Sequence, residues 1–157
     1  MPLLIGGQAI AGPKQKLLVL PRDEGDIVFR FIAINDDEEF FKLCPAPTPP
    51  RKWAKDKGNF TDTKDDSYLQ KLAKWRSQKA HWYFLKSVAP SNITWETVNM
   101  DDPETWGNYE LELKMSGLSN GERDAIFTIF GECNAVSDEM LIEARERFLA
   151  VQAQQPS

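Results

Sequence analysis

DDSYLQKLAKWRSQKAHWYFLKSV, Asp65 to Val88, lies within the longest run free of proline and glycine in the chain. Leu69, Leu72, Ala73, Arg76, Ala80, Tyr83 and Phe84 recur at i, i+3, i+4 and i+7 spacing, while Lys71, Lys74, Lys79 and Lys86 mark the flanks. The spacing predicts one long helix beginning at Asp65 or Asp66 and closed by Pro90. Tyr68, Trp75 and Trp82, together with Trp53 upstream, add an unusual aromatic area. On a helix of a soluble protein such area is mostly core, and in fewer cases a partner surface. The rest of the chain is therefore read as elements gathered on this helix.

Upstream of it, CPAPTPPRKW (Cys44–Trp53) places Pro45, Pro47, Pro49 and Pro50 within six residues. Proline fixes φ and lacks the amide donor, so this stretch favours an extended polyproline segment. Residues 45–64 are read as a proline-rich and polar linker, although Pro47 to Pro50 also fits a P-x-x-P groove ligand. The following DKGNFTDTKDD lacks the ligand spacing of a calcium loop and is read as a loop.

The linker divides a β-rich unit with a short helix, residues 1–44, from a helical domain, residues 65–153. KLLVL (Lys16–Leu20) and DIVFRFIAI (Asp26–Ile34) are β-branched and aromatic with PRDEG between them, a hairpin signal. Leu3 to Ile10 could add a third strand, weakened by Gly6 and Gly7. In NDDEEFFKLCP, Asn35 or Asp36 caps a short helix carrying Phe40 and Leu43 on one face. Its four consecutive acids splay around a helix start and do not converge on a metal.

After the long helix, SNITWETV reads as extended. Asp102 with Pro103 starts another helix whose Trp106, Tyr109, Glu110 and Leu113 share a face, and Gly117 ends it. Ser119 and Glu122 form a capping box, followed by a stripe of Ile126, Ile129, Phe130 and Cys133. Ser137 starts the last helix, with Val136 stapled onto Leu141 and with Ala144, Phe148 and Val151 facing inward. The fold class is α+β, mainly α: a small N-terminal β-hairpin unit followed by a module of about four helices.

Residues 51–90 carry a net charge of +6 and residues 91–157 one of −9. Such asymmetry guides association more than fold. The helix pair at residues 119–150 has helix-turn-helix proportions, but its second helix is acidic and would repel phosphate, so no nucleic-acid partner is expected. Neither a membrane span nor a signal sequence is legible. Cys44 and Cys133 are read as free thiols. The single histidine, His81, has no second histidine for a metal pair, and a Cys–His site would need Cys44 or Cys133 beside it. GQAIAGPK (Gly7–Lys14) resembles a phosphate loop with proline where the lysine belongs. No catalytic residue, cofactor or metal is expected.

Four fragments taken in order carry a resemblance: DDEEFFKLCPAPTPP, YLQKLAKWRSQKAHWYFLKSV, ITWETVNMDDPETWGNYELELKMSGLSNGE and ECNAVSDEMLIEARERFL. Over roughly residues 35–150 the chain resembles a family of small tailed-bacteriophage proteins, the tail assembly chaperones. The resemblance implies a non-enzymatic viral protein of the host bacterial cytoplasm. Such a protein binds the tape measure protein during tail assembly, with tail tube subunits as a further partner and homo-oligomerisation open. Lys71, Lys74, Trp75, Lys79, Trp82 and Tyr83 are the candidate partner-binding residues. The alternatives are a structural tail or connector component of the virion and a host-directed inhibitor acting through its acidic surface.

Overall fold

In a computed structural model that describes residues 3–154, the strands pair only as three antiparallel hairpins. β1 (Leu4–Ile5) and β2 (Gln8–Ala9) flank Gly6 and Gly7, whose φ values of +60° and +83° are those of a two-residue hairpin turn. The glycines that would weaken a single strand thus make a separate small hairpin, and no third strand joins the next sheet. β3 (Gln15–Leu20) and β4 (Ile27–Ile32) form that sheet, registered as Gln15 opposite Ile32 and Leu20 opposite Ile27. Its turn is closed by the Arg22 amide donating to the Asp26 carboxylate at 3.1 Å.

The short helix α1 (Glu38–Leu43) follows, with Phe40 wholly buried. The Asp36 carboxylate accepts from the Glu38 amide, whereas Asp37 is drawn away to the Tyr83 hydroxyl at 2.6 Å. The stretch expected as loop is partly structured. β5 (Arg51–Ala54) and β6 (Gly58–Thr61) pair across a turn that Gly58 permits with φ +67°. Lys52 ties this hairpin to Asp62 and to Asp65, the cap of the next helix, at 2.6 and 2.9 Å.

That helix, α2 (Asp66–Val88), has the expected span, but its buried side differs from the expected stripe. Trp82, Phe84, Leu85, Ser87 and Val88 are buried, whereas Leu69, Ala73, Arg76 and Ala80 are exposed. The C-terminal half is covered by several layers: the β3–β4 hairpin, α1 and the chain from Pro103 onward. Its N-terminal half projects beyond them. Periodicity along one helix gives the angle of each residue but not how far its neighbours extend.

Pro103 starts a 3₁₀ turn (Pro103–Asn108) that leads into α3 (Tyr109–Met115). Trp106, Tyr109 and Leu113 are buried as expected, while Glu110 is exposed. α4 (Asn120–Asn134) begins in the capping box of Ser119 and Glu122, both bonds present. It lies along β3 and β4 and buries Ile126 and Cys133. One core thus joins Leu20, Phe29, Phe31 and Phe40 of the first forty-four residues to Trp82, Phe84, Trp106 and Ile126.

The last helix departs from expectation. α5 (Asp138–Gln154) starts as foreseen, the Ser137 hydroxyl accepting from the Met140 amide at 3.2 Å, but it buries no residue. Leu141, Phe148 and Val151 are 57%, 60% and 56% exposed, and Val136 stands out at 68%, so the staple is not made. An amphipathic pattern requires a covering surface without saying which molecule supplies it.

Candidate functional site

The residues singled out from sequence split into surface and core. Trp82 is 2% exposed and packs on Phe40, Tyr83 and the Lys86 ammonium, so it offers nothing to a partner. Trp75 is half-buried, its indole N–H donating to the Cys44 carbonyl at 2.9 Å. Around it the Lys79 ammonium lies 5.2–6.0 Å from the rings of Phe41, Trp75 and Tyr83. Lys74 pairs with Glu104 at 2.8 Å and Lys71 is exposed. Burial, then the hydrogen bond to Asp37, push the Tyr83 hydroxyl up to about 12, so it remains a donor across the ordinary pH range. Lys71, Lys74, Trp75, Lys79 and Tyr83 therefore form a basic ridge over aromatic rings, in which all but the exposed Lys71 are engaged from within the chain.

Nor do the groups considered for covalent chemistry converge. The Cys44 thiol donates to the Gln78 amide oxygen at 3.2 Å, and Cys133 lies beside the Lys14 carbonyl. Burial raises both thiols above their ordinary value, which lowers the thiolate fraction a nucleophile needs. His81 sits 3.2 Å from both the Ser77 hydroxyl and the Tyr109 hydroxyl, with Glu110 at 3.9 Å. Burial is the main cause that raises the Tyr109 hydroxyl. Among the described residues no group of three or more His, Cys, Asp or Glu side chains could hold a metal ion, and no helix is long and apolar enough to cross a membrane.

A concave apolar surface lies elsewhere. An open groove of about 820 Å³ runs between the start of β4, residues 93–97 and α3. Phe29, Leu113 and Leu118, all buried, form its floor, and Ile27, Ile93 and Trp95, half-buried, line its walls. Leu111 and Met115 stand on its rim, 61% and 78% exposed. Glu96 and Glu112 are the charged side chains that line it.

Its walls are braced locally. Asn92, with φ +56°, reverses the chain after a 3₁₀ turn (Ala89–Ser91), and Ser91 bonds both backbone groups of Arg30 on β4. Glu112 then accepts from the Glu96 amide, the Thr97 amide and the Thr97 hydroxyl at 2.7, 3.1 and 2.7 Å. Burial pushes the Glu112 carboxyl up, but these three bonds outweigh it and hold the group below its ordinary value. The groove is thus a rigid apolar trough with an anionic wall. Its signal lies in YELELKM: Leu111 and Met115 stand on the side of the helix opposite Tyr109 and Leu113, so one short helix has two apolar faces and one core to bury them in.

Compared with family models, curated proteins and solved structures, the chain matches none.

Proposed function

We propose that this protein is a tailed-phage tail assembly chaperone, acting in the host bacterial cytoplasm by binding the tape measure protein and not by covalent chemistry. The observation that carries the reading is the open groove bearing Trp95, Leu111 and Met115. Exposed apolar concavities of this kind mark sites where another chain's apolar surface is taken up. A long helical protein waiting to be enclosed by tail tube subunits needs such transient cover against self-association. The sequence resemblance over residues 35–150 points the same way. The groove suits an apolar helix stripe better than the Lys71–Tyr83 ridge does, because Lys74 and Lys79 of that ridge are already engaged with Glu104 and with aromatic rings.

Co-expression with the tape measure protein of the same phage tests the reading. The wild-type chain should keep the tape measure protein in the soluble fraction and co-purify with it, and Leu111→Asp/Met115→Asp should do neither. Both positions are exposed, so the double variant should fold normally. An equal yield of soluble complex from the variant would remove the groove from the proposal. Stoichiometric retention of the chain in purified particles would favour a structural tail component instead.

A further inference from the structure

Backbone bonding distinguishes the two edges of the β3–β4 hairpin. The Ala33 amide donates to the Lys14 carbonyl at 2.8 Å, which makes Lys14 and Ala33 a hydrogen-bonded pair in the same register that sets Gln15 opposite Ile32. Such pairs alternate along an antiparallel ladder. Lys16, Leu18 and Leu20 therefore turn their amides and carbonyls toward β4, while Gln15, Leu17 and Val19 turn theirs away from it. On β4 the outward residues are Val28, Arg30 and Ile32. The Arg30 amide and carbonyl both bond the Ser91 hydroxyl, at 2.7 and 3.0 Å, and the Ile32 carbonyl accepts from Ser87. The outward groups of β3 have no such cover: among the described residues, the amides and carbonyls of Gln15, Leu17 and Val19 bond to nothing. Neither the β1–β2 hairpin nor α5 packs along them.

An open row of backbone donors and acceptors fits one kind of partner, an extended backbone. Pro13 and Pro21 stand at the next outward positions and have no amide to give, so the open edge ends on both sides. We infer that β3 pairs with β3 of a second copy, antiparallel about a two-fold axis at Leu17. That register sets Leu17 opposite Leu17 and Gln15 opposite Val19, so every free group of the edge is used, two bonds to each facing pair. It also puts Pro13 opposite Pro21, where no amide is required. A slip by two residues in either direction sets Val19 against Pro13 or Gln15 against Pro21 and loses bonds. The side chains suit the same partner. Leu17 and Val19 are 53% and 46% exposed on the outer face of the hairpin, so pairing covers apolar surface. Lys16, the one charged residue of β3, meets Leu18 of the second copy and not another Lys16, so no like charges face each other. The product is a closed two-fold dimer with a four-stranded sheet in the order β4–β3–β3–β4.

No residue of β3 lines the β4–α3 groove, and the test uses no client protein, so its outcome is independent of the chaperone reading. In sedimentation velocity the purified full chain should be dimeric at about 100 µM, the weak end of stable association. Leu17→Pro removes an amide that takes no part in the chain's own ladder, and should leave a monomer with an unchanged circular dichroism spectrum. Leu17→Lys and Leu17→Glu should each be monomeric alone, because position 17 faces itself, and should form a heterodimer when mixed. Amide exchange read residue by residue gives a signature of the edge: on dilution of the wild type, exchange should speed up at Leu17 and Val19 and stay unchanged at Lys16 and Leu18. A monomeric wild type overturns the inference, as does a dimer that survives Leu17→Pro or a Lys/Glu mixture that stays monomeric. Protection of Leu17 and Val19 by an extended client segment, with no dimer in its absence, also overturns it and gives the edge to the client.

Discussion

Trp82 and Trp106 are both buried against Phe40, with ring centroids 5.9 and 6.0 Å away, yet they differ in one hydrogen bond. The Trp106 indole N–H donates to the Met100 carbonyl at 3.2 Å, whereas that of Trp82 meets no partner among the described residues. Burying an unpaired donor costs about 1–3 kcal/mol, so removing the Trp82 donor offsets part of the packing lost on truncation. Trp82→Phe should therefore destabilise the protein by about 1–2 kcal/mol less than Trp106→Phe, measured by urea unfolding. Equal losses would contradict the assignment. At this scale the sequence was informative about aromatic content and poor about its placement. Trp75 and Trp82 stand seven residues apart, nearly in line along the helix, yet one rests half-open on α1 and the other is sealed. What separates them is the extent of the surrounding layers, which local spacing does not encode.

Among the elements, α4 carries its start signal most plainly. Ser119, Asn120, Gly121 and Glu122 announce the cap, and both reciprocal bonds form at 3.0 and 3.1 Å. What local sequence could not announce is that the same Glu122 also receives Arg22, a hundred residues away, at 2.6 and 2.9 Å. The Arg22 bond, then the Ser119 amide, hold the Glu122 carboxyl down to about 2, from an ordinary 4.5. A carboxyl lowered in the folded state contributes stability that is fully present above its unfolded value and is lost as pH falls through its folded value. The contribution of Glu122 should thus fade between pH 4.5 and about 2. Glu122→Gln should flatten the fall in thermal midpoint across that window relative to wild type, and an unchanged slope would count against the clamp. The two hairpins misread as a third strand and a loop share one cause. Each turns on glycines with positive φ, Gly6 and Gly7 in one and Gly58 in the other, and such residues read equally well as breaks. α5 failed differently: Leu141, Phe148 and Val151 recur at helical spacing, but nothing in the described fold buries them.

At the scale of the molecule, the proline stretch holds apart two segments that nevertheless share one core. The Ser87 hydroxyl donates to the Ile32 carbonyl at 2.8 Å, and the Ile34 amide donates to the Asn134 side chain at 2.9 Å. Phe31, 1% exposed, sits in the core cluster that both segments build. Phe31→Ala should therefore cost about 3–5 kcal/mol and lower the amide protection of α2 and α4 together with that of β3 and β4. Loss of protection confined to the hairpin would mean that the two segments unfold separately. The groove opens on one side of this core, with Phe29, Leu113 and Leu118 as its floor, and the α5 face stands free of it; sequence marked the apolar residues of both but not that they stay uncovered. A groove is made by the distance between elements, and no single segment carries that distance.

The bonds from Lys14 to Glu132 and from Ile34 to Asn134 also set a timetable for biosynthesis. At about 5–20 residues per second, a ribosome needs about 5–20 s to deliver the hundred residues between the β3–β4 hairpin and the end of α4. Throughout that interval Leu20, Phe29 and Phe31 leave the exit tunnel without their full cover. Translation is thus a stage at which these core side chains lack the cover that α4 later supplies.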